Sequence, residues 1–279
     1  MKKMIFFPFN SILKNTAFLK KPIEKEKIGL ALSGGSLWGI AHIGVLKALE
    51  DNHIPISFIA GTSVGALIGA LYAAGLSASE LETLAISTQW KDISKLSLPF
   101  RGLLSNEPME QYIHKLIGDI TFSELKIPFQ AVAADLISGE EVILKRGKLS
   151  TALRATTAIP GIYQPVQIED KTLVDGGIVN NVPISVTRNM GSDLIVAVSL
   201  SSSLNNWIPK NSLEVILKSY SIMQQKIVRR EMVHADISID VDMTGCSPMD
   251  FSNGKTVYNR GLSAALLAID QIQSIRKRA

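Results

Sequence analysis

Short runs that are apolar at every position alternate along this chain with longer stretches whose apolar residues recur at helical spacing. Ile28-Gly29-Leu30-Ala31-Leu32 ends at Ser33-Gly34-Gly35, and Ile56-Ser57-Phe58-Ile59-Ala60 ends at Gly61. Such runs, closed by glycine, predict strands buried on both faces. Phe129 to Ala134 and Glu141 to Leu144, around an Ile137-Ser138-Gly139 turn, read as strands, as do Thr172 to Val174 and Asp193 to Val198. Ile237 to Val241 alternates apolar and polar residues, the pattern of a strand with one wet face. Residues 38–52 carry Ile40, Ile43, Gly44, Leu46 and Leu49 at helical spacing. Further helices are predicted over 64–75, 78–90 (opened by Ser77 or Ser79), 109–117, 150–158, 182–189, 211–234 and 255–276. Between Lys91 and Pro108 the pattern loosens around Pro99, Gly102 and Pro108. That stretch reads as a loop or lid, and its apolar part, 96–104, as either a lipid-contact gate or an ordinary packing loop.

Strands alternating with helices predict an α/β fold with a mostly parallel central sheet covered by helices. No internal repeat and no linker divides residues 28–279, so one domain is expected there, with core motifs in 28–200 and C-terminal helices and a strand in 201–279. Ahead of it, residues 1–27 form a distinct arm.

The 279 residues are 46% apolar and 19% charged, a globular balance. One cysteine, Cys246, excludes a disulfide framework and suits a reducing compartment. His42, His53, His114 and His234 show no metal-ligand spacing. The net charge of +4 is concentrated in the arm, where residues 1–27 hold seven lysines and two glutamates. The remainder is near neutral, so a nucleic-acid partner is not expected. The arm combines those lysines with Ile5, Phe6, Phe7, Phe9, Phe18 and Leu19. It is too short and too broken by Pro8 and Asn10 to span a bilayer. Two readings stay open: an arm packed on the domain, or an interfacial anchor over residues 1–21 on anionic lipid. The expected location is the cytoplasm, peripheral on the inner face of the membrane.

The chemistry is concentrated where strands meet turns. Gly61-Thr62-Ser63-Val64-Gly65 lies between a predicted strand and a helix of small residues, the setting of a nucleophile elbow. A serine hydroxyl needs a base and an oxyanion hole. Gly34-Gly35-Ser36-Leu37-Trp38-Gly39 follows another strand, where consecutive N–H groups can converge on an anion. It lacks the glycine spacing of a dinucleotide loop and the Gly-Lys-Ser/Thr of a P-loop. Downstream of Ser63 the only histidines, His114 and His234, fall in predicted helices rather than on a loop after a strand. Asp175 ends a strand and is followed by Gly176-Gly177, which let the backbone turn away from it. Burial beside an apolar pocket would raise its pKa toward that of a useful base.

These blocks, in this order, together with Leu153-Arg154-Ala155-Thr156-Thr157-Ala158-Ile159-Pro160-Gly161 and Pro165, resemble the patatin-like phospholipases, specifically their bacterial acylesterase branch. The resemblance covers about residues 28–200. It implies a three-layer α/β/α sandwich and lipid acyl hydrolysis by a Ser–Asp dyad without histidine, metal or cofactor. By position it implies Ser63 as nucleophile and Asp175 as base. It places the oxyanion hole at the Gly34, Gly35 and Ser36 backbone, with Val64 N–H as a further donor and Gly39, Gly61, Gly65, Gly176 and Gly177 in support. The family pattern of the first block is G-G-G-x-R/K-G; here Ser36 stands at the third glycine and Trp38 at the basic position. Trp38 is left either to pack on an acyl chain or to seal the core. The expected activity is cleavage of phospholipid or lysophospholipid acyl esters through an acyl-enzyme. A catalytically weak membrane-associated regulatory protein and an acyltransferase are the alternatives.

Overall fold

A computed structural model describes residues 26–88, 90–96, 102–201, 208–247 and 253–278. Most of the expected anchor arm, and residues 97–101 of the expected lid, lie outside these. The described strands are β1 (Ile28–Leu32), β2 (Phe58–Thr62), β3 (Lys95–Leu96), β4 (Leu104–Ser105), β5 (Phe129–Asp135), β6 (Glu141–Leu144), β7 (Val166–Ile168), β8 (Lys171–Asp175), β9 (Leu194–Ser201) and β10 (Ile237–Asp242). The described helices are α1 (Ile40–Asp51), α2 (Val64–Ala74), α3 (Ala78–Ser87), α4 (Trp90–Ile93), α5 (Glu107–Ile117), α6 (Leu149–Thr156), α7 (Ile184–Asn189), α8 (Ser212–Glu231) and α9 (Gly254–Arg278).

Eight strands form one sheet in the order β10-β9-β1-β2-β5-β8-β7, with β6 also paired to β5. The pairings from β10 to β5 are parallel, and those of β5 with β6, β5 with β8 and β7 with β8 are antiparallel. β6 occupies one edge of β5 along Ala131–Ala134. The other edge is shared: β2 pairs along Phe129–Val132 and β8 along Ala133–Asp135. β2 and β8 therefore run head to head, and their C-terminal ends meet in the middle of β5.

Helices cover both faces, as expected for strands that are apolar throughout. Ile28, Leu30 and Leu32 of β1, with Val196 and Val198 of β9, face the larger core shared with α1, α2, α5, α6 and α9. Ala31, Ile195 and Ala197 face a smaller cluster with Val182, Ile184 and Val228, on the side of α7 and α8. Small residues on this second face let α7 come close: a Cβ on Gly29 would lie 2.0 Å from Ser192 Oγ and 2.4 Å from Thr187 Cγ2. On the first face, Gly44 of α1 and Gly261 of α9 let those two helices touch backbone to backbone. β10 keeps its alternation, with Ile237, Ile239 and Val241 buried and the residues between them exposed.

Four local features correct or complete the sequence reading. Pro108 is not a loop signal; it sits in the first turn of α5, where its missing N–H has no intrahelical acceptor. The ends of the 91–108 loop pair as a hairpin, Lys95 with Ser105 and Leu96 with Leu104. β7, three residues long, carries too little pattern to be read from sequence, yet it pairs with β8 and fixes that strand's direction. Ser77, not Ser79, caps α3, in a capping box with Glu80. Among the described residues, no helix is long and apolar enough to cross a membrane.

Candidate active site

Ser63 joins β2 to α2 at φ 54° and ψ −126°, the strained conformation that lifts a serine off the end of a strand. For a non-glycine residue this region costs on the order of 1–3 kcal/mol, so the surroundings must impose it. They do so from three sides. The Ser63 N–H donates to Thr156 Oγ1 at 3.0 Å, and Thr156 Oγ1 in turn donates to the Val132 carbonyl. Gly65 packs under the Leu32 and Ser33 carbonyls, where a Cβ would lie 2.4 and 2.5 Å from the two oxygens. The Ser63 carbonyl accepts the Leu67 N–H at 3.1 Å and so starts α2.

Asp175 reaches the same place along β8. On β5, Val132 pairs with Thr62 and Ala133 with Asp175, so adjacent rungs set the carboxyl beside the elbow. Asp175 N–H donates to the Ala158 carbonyl at 2.9 Å, and Asp175 Oδ1 accepts the Gly177 N–H at 2.8 Å. Oδ2 is buried with no hydrogen-bond partner in this geometry, although the Ser63 and Tyr220 hydroxyls are its polar neighbours. Burial pushes the Asp175 pKa up to about 6, against the opposing pull of the Ser63 hydroxyl, the Gly177 N–H and the Tyr220 hydroxyl. Ser63 is 6% exposed and Asp175 1%, so the pair sits in a largely dry setting.

The glycine loop follows β1. Ser36 adopts φ 53°, the left-handed region in which the absence of a side chain is an advantage. Its hydroxymethyl group is tolerated there as the first residue of a single 3-10 turn, Ser36–Gly39. Gly34 corrects the expected donor set. Its N–H donates to the Asn181 carbonyl at 3.2 Å, which commits it to the fold. Gly39 leaves room for Val64, whose Cγ2 lies 2.1 Å from where a Cβ would stand. Trp38 takes the core-sealing role: it packs against the main core and its Nε1–H donates to the Cys246 carbonyl at 3.2 Å.

Behind this loop lies His42. It is fully buried and its Nε2 is 2.8 Å from the Ser33 carbonyl, so Nε2 carries the proton and donates. Burial pulls its pKa down to about 4, partly offset by that hydrogen bond. The two downstream histidines, His114 on α5 and His234 after α8, are exposed, unlike the buried Ser63.

The family-wide pattern of patatin-like phospholipases matches residues 30–188 of this chain, more than half of it, and spans the glycine loop, the elbow and Asp175. The chain belongs to the patatin-like phospholipase family. An uncharacterized NTE family protein of Mycobacterium bovis is 37% identical over 183 residues, 64% of this chain and 51% of that protein. The mouse patatin-like phospholipase domain-containing protein 6 is 31% identical over 192 residues, 66% of this chain and 14% of that protein. The chain thus spans about half the length of the first of these curated relatives and a much smaller part of the second. Among solved structures, VipD from Legionella pneumophila superposes with a TM-score of 0.61 at 13% identity, covering 90% of this chain and 67% of that one. The patatin fold, a mostly parallel mixed sheet between helices, is therefore that of this chain.

Within this patatin-like fold, tertiary pairing brings Ser63, Asp175, Gly35, Ser36 and Val64 to one end of the sheet. Sequence reasoning missed the groups that hold them. Thr156 lies in a block that resembles the family, but the pattern assigns it no role. Asn181 follows Gly176-Gly177 closely. Tyr220 and Gln224 on α8 have no local signal. Gln224 Nε2 donates to Asn181 Oδ1 at 3.2 Å, and burial beside Asp175 holds the Tyr220 hydroxyl well above its ordinary pKa.

Proposed function

We propose that the protein is a serine acylhydrolase that cleaves carboxylic-ester bonds of phospholipids or lysophospholipids. Ser63 is the nucleophile and Asp175 the base. Asp175 takes the Ser63 hydroxyl proton as Oγ bonds to the ester carbonyl carbon, and N–H groups of Gly35, Ser36 and Val64 hold the resulting oxyanion. The bond to the alcohol breaks, and the alcohol leaves with the proton returned by Asp175. Water, deprotonated by Asp175, then attacks the acyl-enzyme, and the fatty acid leaves as Ser63 regains its proton. The observation that carries this reading is the positive φ of Ser63 beside a buried carboxyl whose pKa is raised to about 6. A base with that pKa is ionised at neutral pH and still strong enough to accept a proton.

The reading extends to a peripheral place on an anionic membrane, with residues 1–21 as one attachment and residues 28–279 as a single catalytic domain. The decisive experiment is labelling by a fluorophosphonate probe, with hydrolysis of p-nitrophenyl esters, phospholipids and lysophospholipids measured in parallel. Labelling of the wild type and none of Ser63→Ala is expected. Equal labelling of both, or of neither, would overturn the assignment. Replacing Lys2, Lys3, Lys14, Lys20 and Lys21 by glutamine is expected to weaken binding to phosphatidylglycerol-containing vesicles.

A further inference from the structure

α8 has two unlike faces. Its inner face closes on the site. Tyr220 is buried beside Asp175, and Gln224 reaches Asn181. A Cβ on Gly177 would lie 2.2 Å from Gln224 Nε2 and 2.7 Å from the Tyr220 hydroxyl, which shows how tightly the helix covers the Asp175 turn. At its C-terminal end, Glu231 Oε2 accepts the Val182 N–H at 2.8 Å.

The outer face is apolar where solvent would favour polar residues. Val215, Ile216, Ile222 and Met223 are 52, 45, 37 and 49% exposed. At 100° per residue, positions 215, 216, 222 and 223 fall on one stripe. Ile208, ahead of the helix, is 83% exposed as well. A Cβ on Gly161 would touch Ile216 at 3.9 Å. The neighbouring Ile162–Gln164 segment pairs with Leu104, next to the exposed Leu103. The Gly161–Gln164 segment therefore links the α8 stripe to the described end of the 96–104 stretch.

Beyond the C-terminal end of the stripe the exposed charges of α8 are positive. Lys226, Arg229 and Arg230 are exposed and make no ion pair among the described residues. The carboxylates of the two acids of α8 are engaged, Glu214 with the Lys210 N–H and Asn211 Nδ2 and Glu231 with the Val182 N–H.

We propose that this outer face of α8 docks on an anionic lipid bilayer and so sets the groups under its inner face at the membrane interface. The proposal rests on the acylhydrolase reading for its purpose, not for its evidence. Apolar side chains flanked by cations match the boundary between anionic headgroups and acyl chains. A second copy of the chain is a poorer occupant, because it would oppose three cations to three cations. The stripe also falls short of the roughly 20–30 residues a side of a stable interface. The lysine-rich arm is disfavoured by the same like-charge argument.

The test is cosedimentation of the full chain with vesicles of phosphatidylglycerol and phosphatidylcholine, and of phosphatidylcholine alone. It is run in the wild type and in the variant whose arm lysines are glutamine. At about 1 kcal/mol per basic residue near the surface, Lys226→Gln/Arg229→Gln/Arg230→Gln should weaken binding to the anionic vesicles by about 100-fold. Ile216→Ser/Met223→Ser should weaken binding to the anionic vesicles as well. Turnover of soluble p-nitrophenyl butyrate by the charge variant should stay at the wild-type level. Unchanged vesicle binding in both α8 variants, or a wild-type dimer that the variants dissociate, would overturn the proposal. Absence of p-nitrophenyl butyrate turnover in the wild type would instead overturn the acylhydrolase reading and leave the docking result to stand by itself.

Discussion

The Ser63 N–H is held by the hydroxyl of Thr156, 93 residues further along the chain, at 3.0 Å. Thr156 passes the same hydroxyl's hydrogen to the Val132 carbonyl, so one side chain ties the elbow, α6 and β5 together. Thr156→Val keeps the shape and removes both bonds. It leaves a buried donor and a buried acceptor unpaired, a cost of about 2–4 kcal/mol. Urea unfolding should show that loss, and kcat for a soluble ester should fall with KM little changed. Thr156→Ser should restore most of both.

Ester turnover should follow the ionisation of Asp175. With its pKa near 6, kcat/KM for a soluble ester should rise through about pH 6 and level off above pH 7. Asp175→Asn should lose turnover by several orders of magnitude across the whole profile.

Stability should respond to two buried groups in opposite senses. Asp175 has a folded pKa near 6, above its ordinary 3.8, so the folded state binds a proton that the unfolded chain does not. Its contribution is present below pH 3.8 and is lost as pH rises to 6, about 3 kcal/mol in all. His42 has a folded pKa near 4, below its ordinary 6.5, so there the unfolded chain binds the extra proton. Its contribution is present above pH 6.5 and is lost as pH falls to 4, again about 3 kcal/mol. Between pH 4 and 6 the two slopes nearly cancel. Relative to wild type at each pH, urea midpoints of Asp175→Asn should therefore fall on acidification across this window, and those of His42→Gln should rise.

The exposed histidines offer a test of the dyad. His114→Ala and His234→Ala should each leave soluble-ester turnover within about twofold of the wild type, since general-base catalysis supplies at least a hundredfold. A larger loss in either would point to a triad.

Gly65→Ala should be poorly tolerated. Its methyl group would meet two backbone carbonyls of the β1 end, which have no rotamer with which to yield. A loss of about 3 kcal/mol or more is expected by thermal unfolding, with loss of the labelled elbow.

Most element positions were legible because their cause is local. A five-residue run that is apolar throughout, such as β1, has few ways to be satisfied other than burial on both sides. The elbow announces itself because Gly61 and Gly65 stand where a Cβ would strike backbone. The position of Asp175 at the end of a strand was legible for a similar reason: two glycines follow it. The hairpin of β3 and β4, the first turn of α5 and the short β7 were not, because two or three residues carry no period.

The sequence by itself determined which groups are candidates for the chemistry and roughly where each element starts and stops, since glycine placement and hydrophobic period are properties of neighbouring residues. Tertiary structure alone decided how those groups meet. β2 and β8 share one edge of β5, and this head-to-head arrangement, not any spacing along the chain, puts Thr62 and Asp175 on adjacent rungs. It also decided that Gly34 serves the fold through Asn181, that Thr156 holds the elbow, and that α8 covers the carboxyl with Tyr220. Those contacts join residues dozens to more than a hundred positions apart, and the pairing of such distant groups is fixed by packing and strand order rather than by local pattern.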